Sequence, residues 1–189
     1  DLVQVGNEIM YGFMGISVHP YASAIDDWTG FLSILKAGCQ TVREILPNAE
    51  IIIHTDRLSN QAYNRFYYGK LIENGVDFDV IGLSYYPFWH GTLDNLAEVL
   101  SDVAEKYNKK VMVAETSYAY TARDTDFYGN TIGDGGGIVK NYPFTIQGQS
   151  NLVRDVVNTV VNKTTNGIGV FYWEGTWISA GGGTWEKNS

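Results

Sequence analysis

Short apolar runs of strand length alternate along the chain with longer stretches in which apolar residues recur every three or four positions. The runs are Leu2 to Val5, Ile51 to Ile53, Val80 to Leu83, Val111 to Ala114 and Ile168 to Tyr172. Between the first two, Phe31, Leu35, Val42, Ile45 and Leu46 fall on one helical face, and Pro47-Asn48 ends that helix. A second helix is predicted over about Gln61 to Glu73, stopping at Asn74-Gly75 as a C-cap. A third, Leu93 to Tyr107, starts after Thr92 as N-cap, with Asp94 in the first turn where a carboxylate suits the helix dipole. The fourth spans about Ser150 to Asn162.

Strands that are apolar along their whole length are covered on both faces, which predicts a parallel sheet under helices. Two architectures compete: an open doubly wound sheet and a (β/α)8 barrel. No Gly-rich phosphate loop follows any run, and the glycines at 135 to 137 sit in a long loop without a flanking strand and helix. The barrel is therefore favoured. Such barrels take about 250 residues, so 189 residues with five strands predict an incomplete TIM barrel supplying about strands 4 to 8. One catalytic domain over 1–189 is expected, with its N-terminal units missing, since the opening Asp1-Leu2-Val3-Gln4-Val5 reads as a protein interior.

A hydrophobic fraction of 44% against 18% charged residues fits a globular core and excludes a disordered chain. The net charge of −8 disfavours binding to nucleic acid or an anionic membrane through bulk electrostatics, and a monomer is expected. No stretch approaches the roughly 20 apolar residues of a membrane-spanning helix. Aromatic residues reach 14%, with 5 Trp and 13 Tyr, a surplus that suits stacking on sugars or other flat ligands. Cys39, the single cysteine, lies in a helical apolar stripe and is expected to be a buried structural thiol.

In barrels of this kind chemistry sits where strands end. The five runs close on Gly6-Asn7-Glu8, His54-Thr55-Asp56-Arg57, Ser84-Tyr85-Tyr86-Pro87-Phe88-Trp89-His90, Glu115-Thr116-Ser117 and Trp173-Glu174. One carboxylate at a strand end is more often a cap or an ion-pair partner, but polar endings on all five strands point to a site. Two carboxylates flanking a sugar bond make a glycosidase, one protonating the leaving oxygen and the other attacking the anomeric carbon or activating water. Glu8 and Glu115 suit that division, and Asn7 is placed to bind a hydroxyl beside the acid.

The strings "QVGNEI", "VIGLSYYPFWHGTL", "VAETSYAYT" and "IGVFYWEGTWI", in that order, resemble glycoside hydrolase family 53, the endo-β-1,4-galactanases. The resemblance implies a secreted, retaining enzyme acting on pectic β-1,4-galactan. It makes Glu8 the acid/base, Glu115 the nucleophile and Asn7 a sugar contact, and it needs no organic cofactor. It also implies a flat platform at Trp173. Asp56, Tyr85 and Trp89 are further candidate substrate contacts, with Tyr86, His54 and His90 less decided, and Glu174 is expected in a structural ion pair. The loop from Ala122 to Gln149 is long enough to need a reason. Asp124, Asp126 and Asn130 offer hard oxygen ligands at a spacing suited to Ca²⁺, and bacterial members of the family hold calcium in a similar loop. The sequence departs from that pattern at Tyr128. Another retaining β-glycanase, such as a mannanase or cellulase, and a non-catalytic carbohydrate-binding barrel fragment are the competing readings.

Overall fold

The computed structural model describes residues 1–19, 27–123 and 141–175. Its strands are β1 (Leu2–Gln4), β2 (Gly12–Phe13), β3 (Ile16–Ser17), β4 (Glu50–Thr55), β5 (Val80–Ser84), β6 (Lys110–Thr116) and β7 (Gly167–Tyr172). Its helices are α1 (Trp28–Ile45), α2 (Gln61–Glu73), α3 (Leu93–Tyr107) and α4 (Ile146–Lys163). Each helix starts on a side chain able to satisfy an otherwise unpaired backbone N–H. Asp27 accepts from Gly30, Asn60 from Tyr63, Thr92 from Asn95 and Thr145 from Gly148, at 2.8 to 3.2 Å. Thr145 therefore starts α4 four residues earlier than the apolar spacing predicts.

Five strands form one parallel sheet in the order β1-β4-β5-β6-β7, and α1 to α4 fill the successive crossovers. Strand order thus follows chain order without reversal. A doubly wound sheet would reverse at a switch point, so the open-sheet alternative is excluded and the chain forms part of a (β/α)8 barrel.

Both faces of the sheet are packed over β4, β5 and β6, as their uninterrupted apolar runs require, whereas Ile168, Phe171 and Tyr172 of β7 are exposed. Ile51, Ile53, Ile81, Leu83, Val111 and Val113 face the helices, where Phe31, Leu35, Leu96, Leu100, Val103, Leu152, Val156 and Val160 complete the larger core. Ile52, Val80, Met112 and Ala114 make a second, smaller layer on the other face. Gly82 keeps that layer closed: a Cβ there would stand 2.8 Å from Ile52 Cγ2 and 2.9 Å from the Ala114 Cβ.

One element is absent from the sequence-based expectation. β2 and β3 form a two-residue-loop hairpin through Met14 and Gly15, both at positive φ (50° and 81°). That is the backbone of a tight primed turn, but Met-Gly is not among the pairs that announce one.

Candidate active site

Glu8 and Glu115 reach the same end of the sheet by different local devices. The turn after β1 places Glu8 in the left-handed region, φ 47° and ψ 48°, an uncommon setting for a residue with a Cβ. Gly6 precedes it at φ 81°, where a Cβ would collide with Ile9 Cγ2 at 2.5 Å. The chain therefore turns sharply enough to bring Glu8 over the strand ends.

Glu115 lies inside β6 rather than after it. Leu83 pairs with Val113 but Ser84 pairs with Glu115, so one extra residue enters β6 between them. Strict alternation would send Glu115 to the helix side with Val111 and Val113. The bulge re-aims it, as bulges beside active sites commonly do.

The result is a carboxylate pair. Oxygens of Glu8 and Glu115 and a ring nitrogen of His54 all lie within 4.8 Å of one another. That is close to the roughly 5 to 5.5 Å of retaining glycosidases and short of the roughly 6.5 to 9.5 Å that admits water in inverting ones. The same three groups could in principle offer donors to a metal, but both His54 nitrogens already have protein partners at 2.8 to 3.1 Å.

The two carboxyls have different surroundings. Burial raises the Glu115 carboxyl above the ordinary carboxylate range, a donated hydrogen bond from Tyr86 opposes this, and Glu8, Glu174 and Asp56 add to the rise. Tyr86 OH donates to Glu115 Oε1 at 2.5 Å, and burial, reinforced by that carboxylate, keeps the phenol protonated. Glu8 Oε1 instead accepts from Ser84 Oγ at 2.6 Å, and Ser84 contacts His54 Nε2 at 2.8 Å. Burial lowers His54 to about 4. The ring is neutral near pH 7.

A cleft of about 560 Å³ surrounds the pair, lined also by Asp56, Arg57, Ser59, Trp89, His90, Ser117, Trp173 and Glu174. Trp89 and Trp173 are 52% and 46% exposed, so both indoles offer open faces to a sugar ring. The backbone N–H of Trp173 donates to Thr116 O at 2.8 Å. Burial raises the Asp56 carboxyl, against the pull of Arg57. Arg57 Nε stands 3.2 Å from Asp56 Oδ1, and that oxygen is buried without a hydrogen bond. Arg57 itself is clamped over the Tyr11 ring, 4.5 Å from its centroid, and bonds the Tyr11 hydroxyl. Such a fixed guanidinium is a rigid donor.

Glu8, Asn7, Asp56, Trp89, Trp173 and Glu115 are thus brought to one end of the sheet; Asn7 Oδ1 lies 3.1 Å from His54 Nδ1, beside the acid rather than in the lining. Tyr85, expected to touch substrate, does not: it is wholly buried and its hydroxyl donates to Gly91 O at 3.0 Å. The cause is strand parity. Ser84 faces the site, Tyr85 points to the helices with Leu83, and Tyr86 returns to the site. Glu174, expected in an ion pair, lines the cleft. Arg57, Ser59, His90, Ser117 and Tyr86 also line it, and period-two reading of β5 would have separated Tyr86 from Tyr85. The calcium candidates Asp124, Asp126 and Asn130 lie outside the described residues. Among the described residues no helix is long and apolar enough to cross a membrane.

Two adjacent carboxylates and open indoles at the strand ends of a parallel barrel define a glycoside hydrolase site. A family model, glycosyl hydrolase family 53, matches residues 1–189, and the chain belongs to that family. It is 46% identical to the endo-beta-1,4-galactanase of Bacillus subtilis (strain 168), over 99% of this chain and 42% of that protein. The arabinogalactan endo-beta-1,4-galactanase of Cellvibrio japonicus (strain Ueda107) is 31% identical over 100% of this chain and 50% of that one. Among solved structures, the GH53 catalytic domain of Ignisphaera aggregans superposes with a TM-score of 0.82 at 37% identity, over 94% of this chain and 48% of that one. The chain spans about half the length of the curated relatives it matches.

Proposed function

We propose that the full-length protein is a retaining endo-β-1,4-galactanase in which Glu8 is the acid/base and Glu115 the nucleophile. The observation that carries this reading is the approach of the two carboxylates within 4.8 Å at the end of the sheet. The galactanase names of relatives up to 46% identical supply the substrate class. In the first step Glu115 attacks the anomeric carbon while Glu8 gives its proton to the leaving sugar oxygen. In the second, Glu8 takes a proton from water, which displaces Glu115 and restores the β configuration. Trp89 and Trp173 bind sugar faces, and Asn7 and Asp56 bind hydroxyls. The polymeric substrate implies export from the cell and a role in pectin breakdown by a monomer. Reducing-end release by the full-length protein on β-1,4-galactan, mannan and cellulose tests it; preference for mannan or cellulose overturns the galactan assignment and leaves the mechanism standing.

We also propose that Asp124, Asp126 and Asn130 hold a Ca²⁺ that stiffens the loop after β6. Their support is oxygen chemistry and spacing, and since calcium takes six to eight oxygens, carbonyls or further side chains must complete the shell.

A further inference from the structure

We propose, resting on the assignment of Glu8 as acid/base, that His54 and Ser84 are positioning residues that pin Glu8 Oε1 and leave Oε2 as the oxygen that gives and takes the catalytic proton. The argument follows the hydrogens one at a time. With the catalytic proton on Oε2 or absent, Glu8 Oε1 can only accept, so the single hydrogen of Ser84 goes to it, at 2.6 Å. The Ser84 oxygen can then only accept from His54 Nε2, at 2.8 Å, which fixes the ring hydrogen on that nitrogen. Nδ1 is left bare and accepts from the Gln4 amide at 3.1 Å, whose second hydrogen reaches Asn7 Oδ1 at 3.1 Å. Asn7 Oδ1 also stands 3.1 Å from the bare Nδ1, and the Gln4 amide bridges these two acceptors by giving one hydrogen to each.

Burial makes this arrangement hard to disturb. His54 and Ser84 have no exposed surface, and burial holds the imidazole neutral down to about pH 4. The relay also anchors a side chain whose backbone, at φ 47°, sits in an uncommon region. The opposite proton order is possible in principle: Nδ1–H to Asn7 Oδ1, and Ser84 donating to Nε2. It would leave Ser84 with no hydrogen for Glu8 and would draw the Glu8 proton to Oε1, away from the leaving group. Asp56 and Arg57 after β4, Glu115 on β6 and Glu174 after β7 are the other charged groups lining the cleft around Glu8, and the variants below alter none of them.

The test uses the full-length protein. Ser84→Ala removes a charge-assisted hydrogen bond from the carboxylate, so the alkaline limb of kcat/KM should move up by about one pH unit. The turnover number should fall about tenfold with little change in KM. The fall should shrink on an aryl galactoside whose leaving group needs no proton, and Ser84→Thr should restore the alkaline limb. Long-range ¹H–¹⁵N spectra of the wild type should show His54 neutral with its hydrogen on Nε2. An unchanged pH profile in folded Ser84→Ala, or a His54 hydrogen on Nδ1, overturns the proposal. If the wild type cleaves no β-glycan, the functional reading falls by itself, and the ¹⁵N spectrum still decides the relay.

Discussion

Glu115 stands opposite Ser84 in the ladder between β5 and β6, although Val113, two residues earlier, pairs with Leu83, only one residue earlier. This one-residue slip puts a carboxylate on the barrel face that regular pairing would have turned to the helices. It also delivers Glu115 to Tyr86, which donates across 2.5 Å.

That hydrogen bond opposes the burial that raises the Glu115 carboxyl. Tyr86→Phe should therefore move the acid limb of kcat/KM to higher pH, because the nucleophile must be ionised. The lost charge-assisted bond should cost about 10- to 100-fold in kcat. A pH–rate profile of the folded variant with an unmoved acid limb would show that Tyr86 does not act on Glu115.

His90 bears on stability rather than rate. Burial lowers it from the ordinary 6.5 to about 4, and its Nδ1 accepts from Tyr86 N at 2.9 Å. Between those values the unfolded chain binds a proton that the folded chain does not, so its contribution falls as pH drops through that window. The raised carboxyls of Glu115 and Asp56 work in the opposite sense, so the comparison must be with a variant. The stability advantage of wild type over His90→Asn, read by urea unfolding, should shrink steadily from pH 6.5 towards 4. A constant difference would mean that His90 is charged in the folded state.

Arg43 ties the end of α1 to the sheet. It bonds Asp77 at 2.7 and 3.0 Å, Asp79 at 2.8 Å and Ala49 O at 2.8 Å, and Asp79 also accepts from Ile51 N. Arg43→Met should cost about 1 to 2 kcal/mol, since it strands a half-buried Asp79. Because Arg43 lowers the Asp77 carboxyl, the loss should be largest near neutral pH and fade as Asp77 is protonated. Urea unfolding at pH 7 and at about 3 checks both statements.

Calcium at Asp124, Asp126 and Asn130 should stabilise the folded state by mass action. A chelator should lower Tm and increase cleavage near residues 133–137, and excess Ca²⁺ should reverse both. Identical melting curves with and without chelator would reduce the loop to an acidic turn.

The elements were legible wherever burial alone sets the pattern. The five sheet strands and four helices follow from apolar runs, helical spacing and the caps Thr92 and Asn74-Gly75, and Glu8 and Glu115 follow from asking what each run ends on. What escaped depends on geometry that composition does not encode. The choice of Tyr85 over Tyr86 failed because two neighbouring tyrosines look alike until strand parity sends one to the helices. The bulge at Ala114 depends on register between strands, and the His54–Ser84–Glu8 chain joins three segments far apart in sequence. The Met14-Gly15 hairpin uses an atypical turn pair.

The pairing of Glu8 with Glu115 as acid/base and nucleophile is tested most directly by the anomeric form of the first product. Freshly purified full-length protein should be mixed with β-1,4-galacto-oligosaccharide and followed by ¹H NMR before mutarotation proceeds. The β-anomer should appear first and decay to the equilibrium mixture, as two displacements at the anomeric carbon require. Initial release of the α-anomer would contradict a covalent intermediate on Glu115 and make the pair an inverting one.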